Sequence, residues 1–230
     1  MGPILVAGFP QGSSLGLVAA FEWLGQPYRV ARVDMLKDMK TEAFTRLNGR
    51  QETPVLVKPD GSCLTETTAI AAWLEARNTD RRISFDPKSA DADRMHRMLA
   101  FMNTSFTSAF SSLWAAMEMK PDLPLQEILR KHGRASVFKR HAHLEAMLDD
   151  RPFIFGDHPT LADGVFIGVA RWAEFHQIDV SAFSRITSLK RGLEDDPAVI
   201  FAHAVEDGKA PRGSGACAGY VTLEDVTATG

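Results

Sequence analysis

Residues 52 to 67 concentrate the groups in this chain that could seize a small peptide. Glu52-Thr53-Pro54-Val55-Leu56-Val57 runs through Lys58-Pro59-Asp60-Gly61 into Ser62-Cys63-Leu64-Thr65-Glu66-Thr67. A proline ahead of a short apolar strand has no N–H and drives Thr53 into extended backbone. That leaves the N–H and C=O of Thr53 open to an outside chain, as a sheet edge is. Pro-Asp-Gly supplies the turn between two strands. Thr65-Glu66-Thr67 precedes the apolar run Ala69-Ile70-Ala71-Ala72-Trp73-Leu74 as a helix start does, and the unpaired N–H groups of such a start attract a carboxylate.

The elements that must hold these groups alternate over the first third of the chain. Ile4-Leu5-Val6-Ala7 reads as a buried strand, Leu15 to Leu24 as a helix closed by Gly25, and Tyr28 to Val33 as a second strand. With the hairpin and its helix this gives β-α-β-α-β-β-α, a small sheet with helices on both faces, over residues 1–78. Residues 79–90 are polar and proline-bearing, as a linker is. Beyond them the apolar spacing turns helical through Met95, Met98, Leu99, Met102 and Phe106, again from Ile128 to Leu148, and again from Leu161 to Phe175, so residues 91–210 are expected to be all helix. Thr160 and Asp163 have the spacing of a capping box, and the run after them, apolar on every side, is expected at the centre of that domain. Residues 211–230, rich in Gly, Ala, Thr and Ser, read as a flexible tail.

Composition narrows the class. With 230 residues, 45% hydrophobic content and a net charge of -3, the chain has room for two small domains and no bias toward a nucleic acid. Its apolar runs are too short to cross a bilayer, residues 3 to 9 read as a strand rather than a signal segment, and Val6 stands where myristoylation wants a hydroxyl. Cys63 and Cys217 have no metal or redox spacing, which fits a reducing compartment. The expected location is the cytoplasm, without a membrane partner. Cys63 reads as a core residue, and the histidines, His141 and His143 among them, make no metal spacing.

Over roughly residues 4 to 210 the sequence resembles the cytosolic glutathione transferases, and most closely their bacterial beta class. The resemblance rests on Ser13-Ser14-Leu15 ahead of Gly25, Thr53-Pro54, Glu66-Thr67, the Thr160 to Asp163 box, Arg171-Trp172-Ala173 and Asp196-Pro197-Ala198-Val199 in that order. It implies a thioredoxin-like α/β N-terminal domain followed by an all-α helical-bundle C-terminal domain, a cis Pro54 and a homodimer. Glutathione is then the co-substrate, with no metal. Glu66 and Thr67 would hold its γ-glutamyl end, the Thr53 backbone its cysteinyl unit and Lys37 its glycyl carboxylate.

Two departures from the beta class shape the expected chemistry. Ser13 stands where that class has cysteine, so Ser13, or failing it Ser14, is the expected group at the sulfur, unless Ser13 only caps the helix. A serine forms no mixed disulfide, so thiol transfer through this residue is closed. Activation of the thiol stays open: lowering its pKa by about 2 units takes about 2.7 kcal/mol, and one hydrogen bond to a charged sulfur supplies roughly 1.5 to 3. Asn103, Thr107, Phe110 and Trp114, at i, i+4, i+7 and i+11, are expected with Phe9 to line a pocket for a small apolar electrophile; Thr107 stands where the class often has histidine. The readings left open beside the transferase are a glutathione-dependent cis-trans isomerase of the maleylacetoacetate or maleylpyruvate type, and a binding protein without turnover.

Overall fold

The computed structural model describes residues 2–120, 122–213 and 215–228. Six apolar residues of β1 (Ile4–Phe9) are all buried, as a strand covered on both faces must be. Helix α1 (Ser14–Leu24), closed by left-handed Gly25, leads to β2 (Tyr28–Asp34) parallel to β1. A short α2 (Glu42–Leu47) precedes the antiparallel pair β3 (Val55–Val57) and β4 (Cys63–Thr65), and α3 (Thr67–Glu75) follows at once. This is the thioredoxin-like half. Asn78, Ile83 and Ser84 of the connection are buried: the Asn78 side chain donates to Ser84 and accepts from the Arg82 N–H. The segment is therefore fastened on its way to the next helix.

The helical half comprises α4 (Ala90–Phe101), α5 (Ser111–Glu118), α6 (Leu123–Met147), α7 (Leu161–Ala170), α8 (Trp172–Phe175), α9 (Ser184–Glu194) and α10 (Pro197–Glu206). Every residue of α7 is buried, as its unbroken apolar run required. Glycines bring it against α1: a Cβ on Gly16 would fall 1.7 Å from the Gly164 carbonyl, and one on Gly168 would fall 2.5 Å from that of Ser13. The two halves thus meet backbone to backbone at the start of α1. Between α4 and α5 the chain winds as a π-helix over Met102–Phe106 and as a 3-10 helix over Thr107–Phe110.

The C-terminal segment corrects the expectation of a flexible tail. Cys217–Tyr220 form β5, which pairs in parallel with β2 and makes the sheet order β4-β3-β1-β2-β5; α11 (Leu223–Ala228) then returns to the first half. Leu223 and Val226 join Ile4, Val6, Ala31, Val33 and Phe44 in one apolar cluster. Glu22, buried in α1, accepts hydrogen bonds from the Tyr28 hydroxyl at 2.9 Å and the Cys217 N–H at 3.1 Å. Low hydrophobicity concealed these contacts from the sequence: two apolar side chains and a backbone ladder hold the segment. Cys63 is a second correction, since it lies exposed on β4, an outermost strand, rather than in the core.

Candidate functional site

Strand directions bring the expected residues to one end of the sheet. The C-terminal ends of β1 and β2, the entry to β3 and the exit of β4 share that end, because β1 and β2 are parallel while Val55 of β3 faces both Val6 and Thr65. Thr53 therefore lies beside Gly8. A Cβ on Gly8 would fall 2.3 Å from Thr53 Oγ1 and 2.8 Å from Met35 Cγ, so only glycine lets Thr53 approach, and its hydroxyl donates to Met35 Sδ at 3.3 Å. The Thr53-Pro54 peptide is cis, as expected, and so is Phe9-Pro10.

A small groove of about 50 Å³ opens here, lined by Thr53, Pro54, Glu66 and Thr67, four of the five residues expected, together with Arg50 and Glu52. Glu66 sits at the mouth of α3 with φ 72°, ψ 125°, a backbone conformation that side-chain-bearing residues rarely hold and that gathers at functional sites. The first backbone bond into α3 runs from Ile70 N–H to the Glu66 carbonyl, so the N–H groups of Thr67 and Thr68 point outward as donors for an anion. Arg50 ion-pairs with Glu66 and, at 3.2 Å, with Glu52, bridging the loop before Thr53 to the helix start. Arg50 was not legible as a site residue; its one signal is a cation three residues ahead of Thr53. The roomier cavity of about 380 Å³ between β2, α10 and the C-terminal segment contains none of the expected residues.

The two serines separate. Ser14 is buried and its Oγ accepts a hydrogen bond from the Gly8 N–H at 3.1 Å, which ties α1 to β1 and leaves its O–H free to donate. Ser13 occupies the N-cap position yet makes no capping bond, so its partly exposed hydroxyl is uncommitted. The loop that presents it is pinned from the helical half. Arg171 donates to the Gly12 carbonyl at 3.1 Å, the Trp172 indole to the Gln11 carbonyl at 2.8 Å, and the Gln11 N–H to Glu206 at 2.9 Å. Arg171 and Glu206 also pair with each other, nearly out of solvent. Lys37 lies beyond the groove, strongly exposed and 3.2 Å from Asp34, whose carboxyl is held below its usual range by the Leu36 N–H and then by Lys37 itself.

The expected electrophile pocket is not a single lined surface. Phe9 is fully buried, because β1 is covered on both faces, and Phe110 is fully buried against Phe106 and Trp172, so both are packing residues. The π and 3-10 turns also break the regular helix on which the i, i+4, i+7, i+11 spacing depends. Asn103 and Thr107 remain partly exposed on those turns. Trp114 is partly exposed in an aromatic cluster with Trp172, Phe175 and His176. His141 is buried beside Phe106 and hydrogen-bonds the Val137 carbonyl, and burial lowers its pKa.

Similarity to known proteins agrees with this arrangement. A family described as the glutathione S-transferase N-terminal domain matches residues 14–77, and one described as the glutathione S-transferase C-terminal domain matches residues 129–190. The chain is 24% identical over 192 residues to glutathione S-transferase GstA of Escherichia coli O157:H7, covering 83% of this chain and 92% of that one. A glutathione transferase structure from Methylococcus capsulatus superposes with a TM-score of 0.78 at 25% identity, covering 89% of this chain and 98% of that one. A sphingomonad glutathione S-transferase, solved in complex with glutathione, gives 0.76 at 24%, with the same coverage.

Proposed function

Because this chain belongs to the glutathione S-transferase family of enzymes, we propose that it binds glutathione along Thr53 and the mouth of α3 and transfers the thiolate to a small, largely apolar electrophile. The observation that carries this reading is the groove itself. Thr67 at the start of α3, the Glu66 carboxylate held by Arg50, and Thr53 ahead of the cis Pro54 converge within one space. A γ-glutamyl group brings a carboxylate for the helix start and an ammonium for Glu66, and a cysteinyl unit brings the two backbone groups that Thr53 can pair. The sulfur then falls toward the loop of Gln11 to Ser13. The free hydroxyl of Ser13 donates to the thiolate, and the N-terminus of α1 adds its partial positive charge.

In this reading the protein contributes proximity and charge stabilisation rather than a covalent intermediate. The clamp of Arg171, Trp172 and Glu206 fixes the donor before the thiol arrives. Homodimerisation and a cytoplasmic location are part of the same proposal. The isomerase reading is second, because it needs cations near the sulfur for the substrate's carboxylates and Asn103, Thr107, Phe110 and Trp114 supply none.

The test is titration of the protein with glutathione while following thiolate absorbance in the ultraviolet. A bound thiol that ionises below about pH 7 supports the transferase, against ~8.5 for the free thiol. Binding without ionisation would leave a binding protein only, and no binding would overturn the assignment.

A further inference from the structure

Helix α2 leads to the groove from both of its ends. At its C-terminal end Asn48 caps the helix, its N–H on the Phe44 carbonyl at 3.0 Å, and lines the groove as well. The Asn48 side chain then fixes the turn that follows: its amide donates to the Glu52 carbonyl at 2.8 Å and its oxygen accepts from the Arg50 N–H at 3.0 Å. Arg50 is the residue that holds Glu66. Ahead of α2, the loop of residues 35–41 starts at Met35, whose sulfur accepts from the Thr53 hydroxyl, and carries Lys37.

What holds α2 itself is narrow. A helix of six residues has too few backbone bonds to persist alone. Phe44 is its one fully buried side chain, and it lies in the cluster that contains Leu223 and Val226 of α11, with Met39, Ala43 and Leu47 packed against that cluster. Among the described residues no other named element packs on α2 as extensively as α11 does. The C-terminal helix is itself closed at its start, where the Thr222 N–H donates to Asp225 and the Asp225 N–H to the Thr222 hydroxyl, both at 3.1 Å.

We propose that α11 braces the glutathione groove: Leu223 and Val226 are positioning residues that act through Phe44 on Asn48, and through Asn48 on Arg50 and Glu66. The inference rests on the glutathione reading above and adds a remote determinant to it. Since α11 supplies none of the residues that line the groove, its effect is a coupling between two separate places. Such a coupling is reciprocal: the factor by which docked α11 tightens glutathione binding is the factor by which glutathione favours the docking of α11.

The experiment compares the full chain with one ending at Val221, which keeps the bond from the Val221 N–H to the Val30 carbonyl and removes α11. Calorimetric titration with glutathione, well below both melting temperatures, is expected to show affinity about fivefold weaker or more without α11. L223A/V226A, which keeps the helix in the chain, is expected to reproduce the loss. In the full chain, saturating glutathione is expected to slow the local hydrogen exchange of the α11 amides by a similar factor, which a helix that only adds stability would not show. The control is Leu189→Ala, buried in α9 of the helical half, which is expected to lower the melting temperature and leave affinity within about twofold. Affinity unchanged by the loss of α11, α11 exchange indifferent to glutathione, or an equal loss of affinity in Leu189→Ala overturns the proposal. A full chain that binds no glutathione overturns the reading beneath it and the brace together, so the two failures are told apart.

Discussion

Ser13 and Ser14 differ by one peptide unit and by what their hydroxyls touch. Ser14 Oγ satisfies a buried N–H of β1, so S14A strands that donor and is expected to lower unfolding free energy by about 1–3 kcal/mol in urea. S13A removes a hydroxyl with no capping bond; it is expected to change stability by less than about 0.5 kcal/mol while raising the pKa of bound glutathione by at least one unit. The reverse pattern would reassign the pair. Arg50→Ala is expected to leave the melting temperature in place, since exposed ion pairs add little stability, and to weaken glutathione binding about tenfold in calorimetry, because Glu66 loses the group that orients it. Unchanged affinity would remove Arg50 from the site. The convergence of Thr53, Pro54, Glu66 and Thr67 on one groove was legible because proline and helix-start chemistry are local in sequence. Arg171 and Glu206 were not, because their contacts with residues 11 and 12 span well over a hundred residues.

Helix α7 carries the clearest electrostatic signature of any element. Asp163 at its first turn accepts from the N–H groups of Ile154 and Thr160 and from the Thr160 hydroxyl, yet burial pushes its carboxyl up to about 6. The folded state therefore binds more protons than the unfolded one between about pH 4 and 6. Stability from this group is full below about pH 4 and is lost as pH rises through 6. The unfolding free energy of the wild type minus that of D163N is expected to fall by on the order of 3 kcal/mol from pH 4 to 7 at fixed ionic strength. A difference that holds steady or grows would show the carboxyl ionised throughout. The capping box and the all-apolar run announced this helix in the sequence. The π and 3-10 turns at residues 102 to 110 had no such notice, because the apolar spacing through Phe106 reads as an unbroken α-helix.

The whole molecule is joined at both ends of its sequence, with α1 against α7 and β5 against β2. A chain ending at Arg212 loses the buried side chains of Leu223 and Val226, at least ~3 kcal/mol of apolar burial, and is expected to melt roughly 6–12 °C lower. It also bares the outer edge of β2, so size-exclusion chromatography is expected to show association that grows with concentration. An unaltered melting curve and elution volume would mean that the fifth strand is ornamental. The α/β half and the helical half were readable from periodicity, but a four-residue strand containing Gly and Ala gives no periodic signal. The position of that strand sets a timetable for synthesis. Its partner β2 leaves the ribosome long before β5 is made and must wait for it before its open flank is covered, roughly ten to forty seconds at ordinary translation rates. Throughout that interval every nascent copy presents an unzipped edge to its neighbours on the same messenger, and a prematurely terminated product would carry that edge for its lifetime.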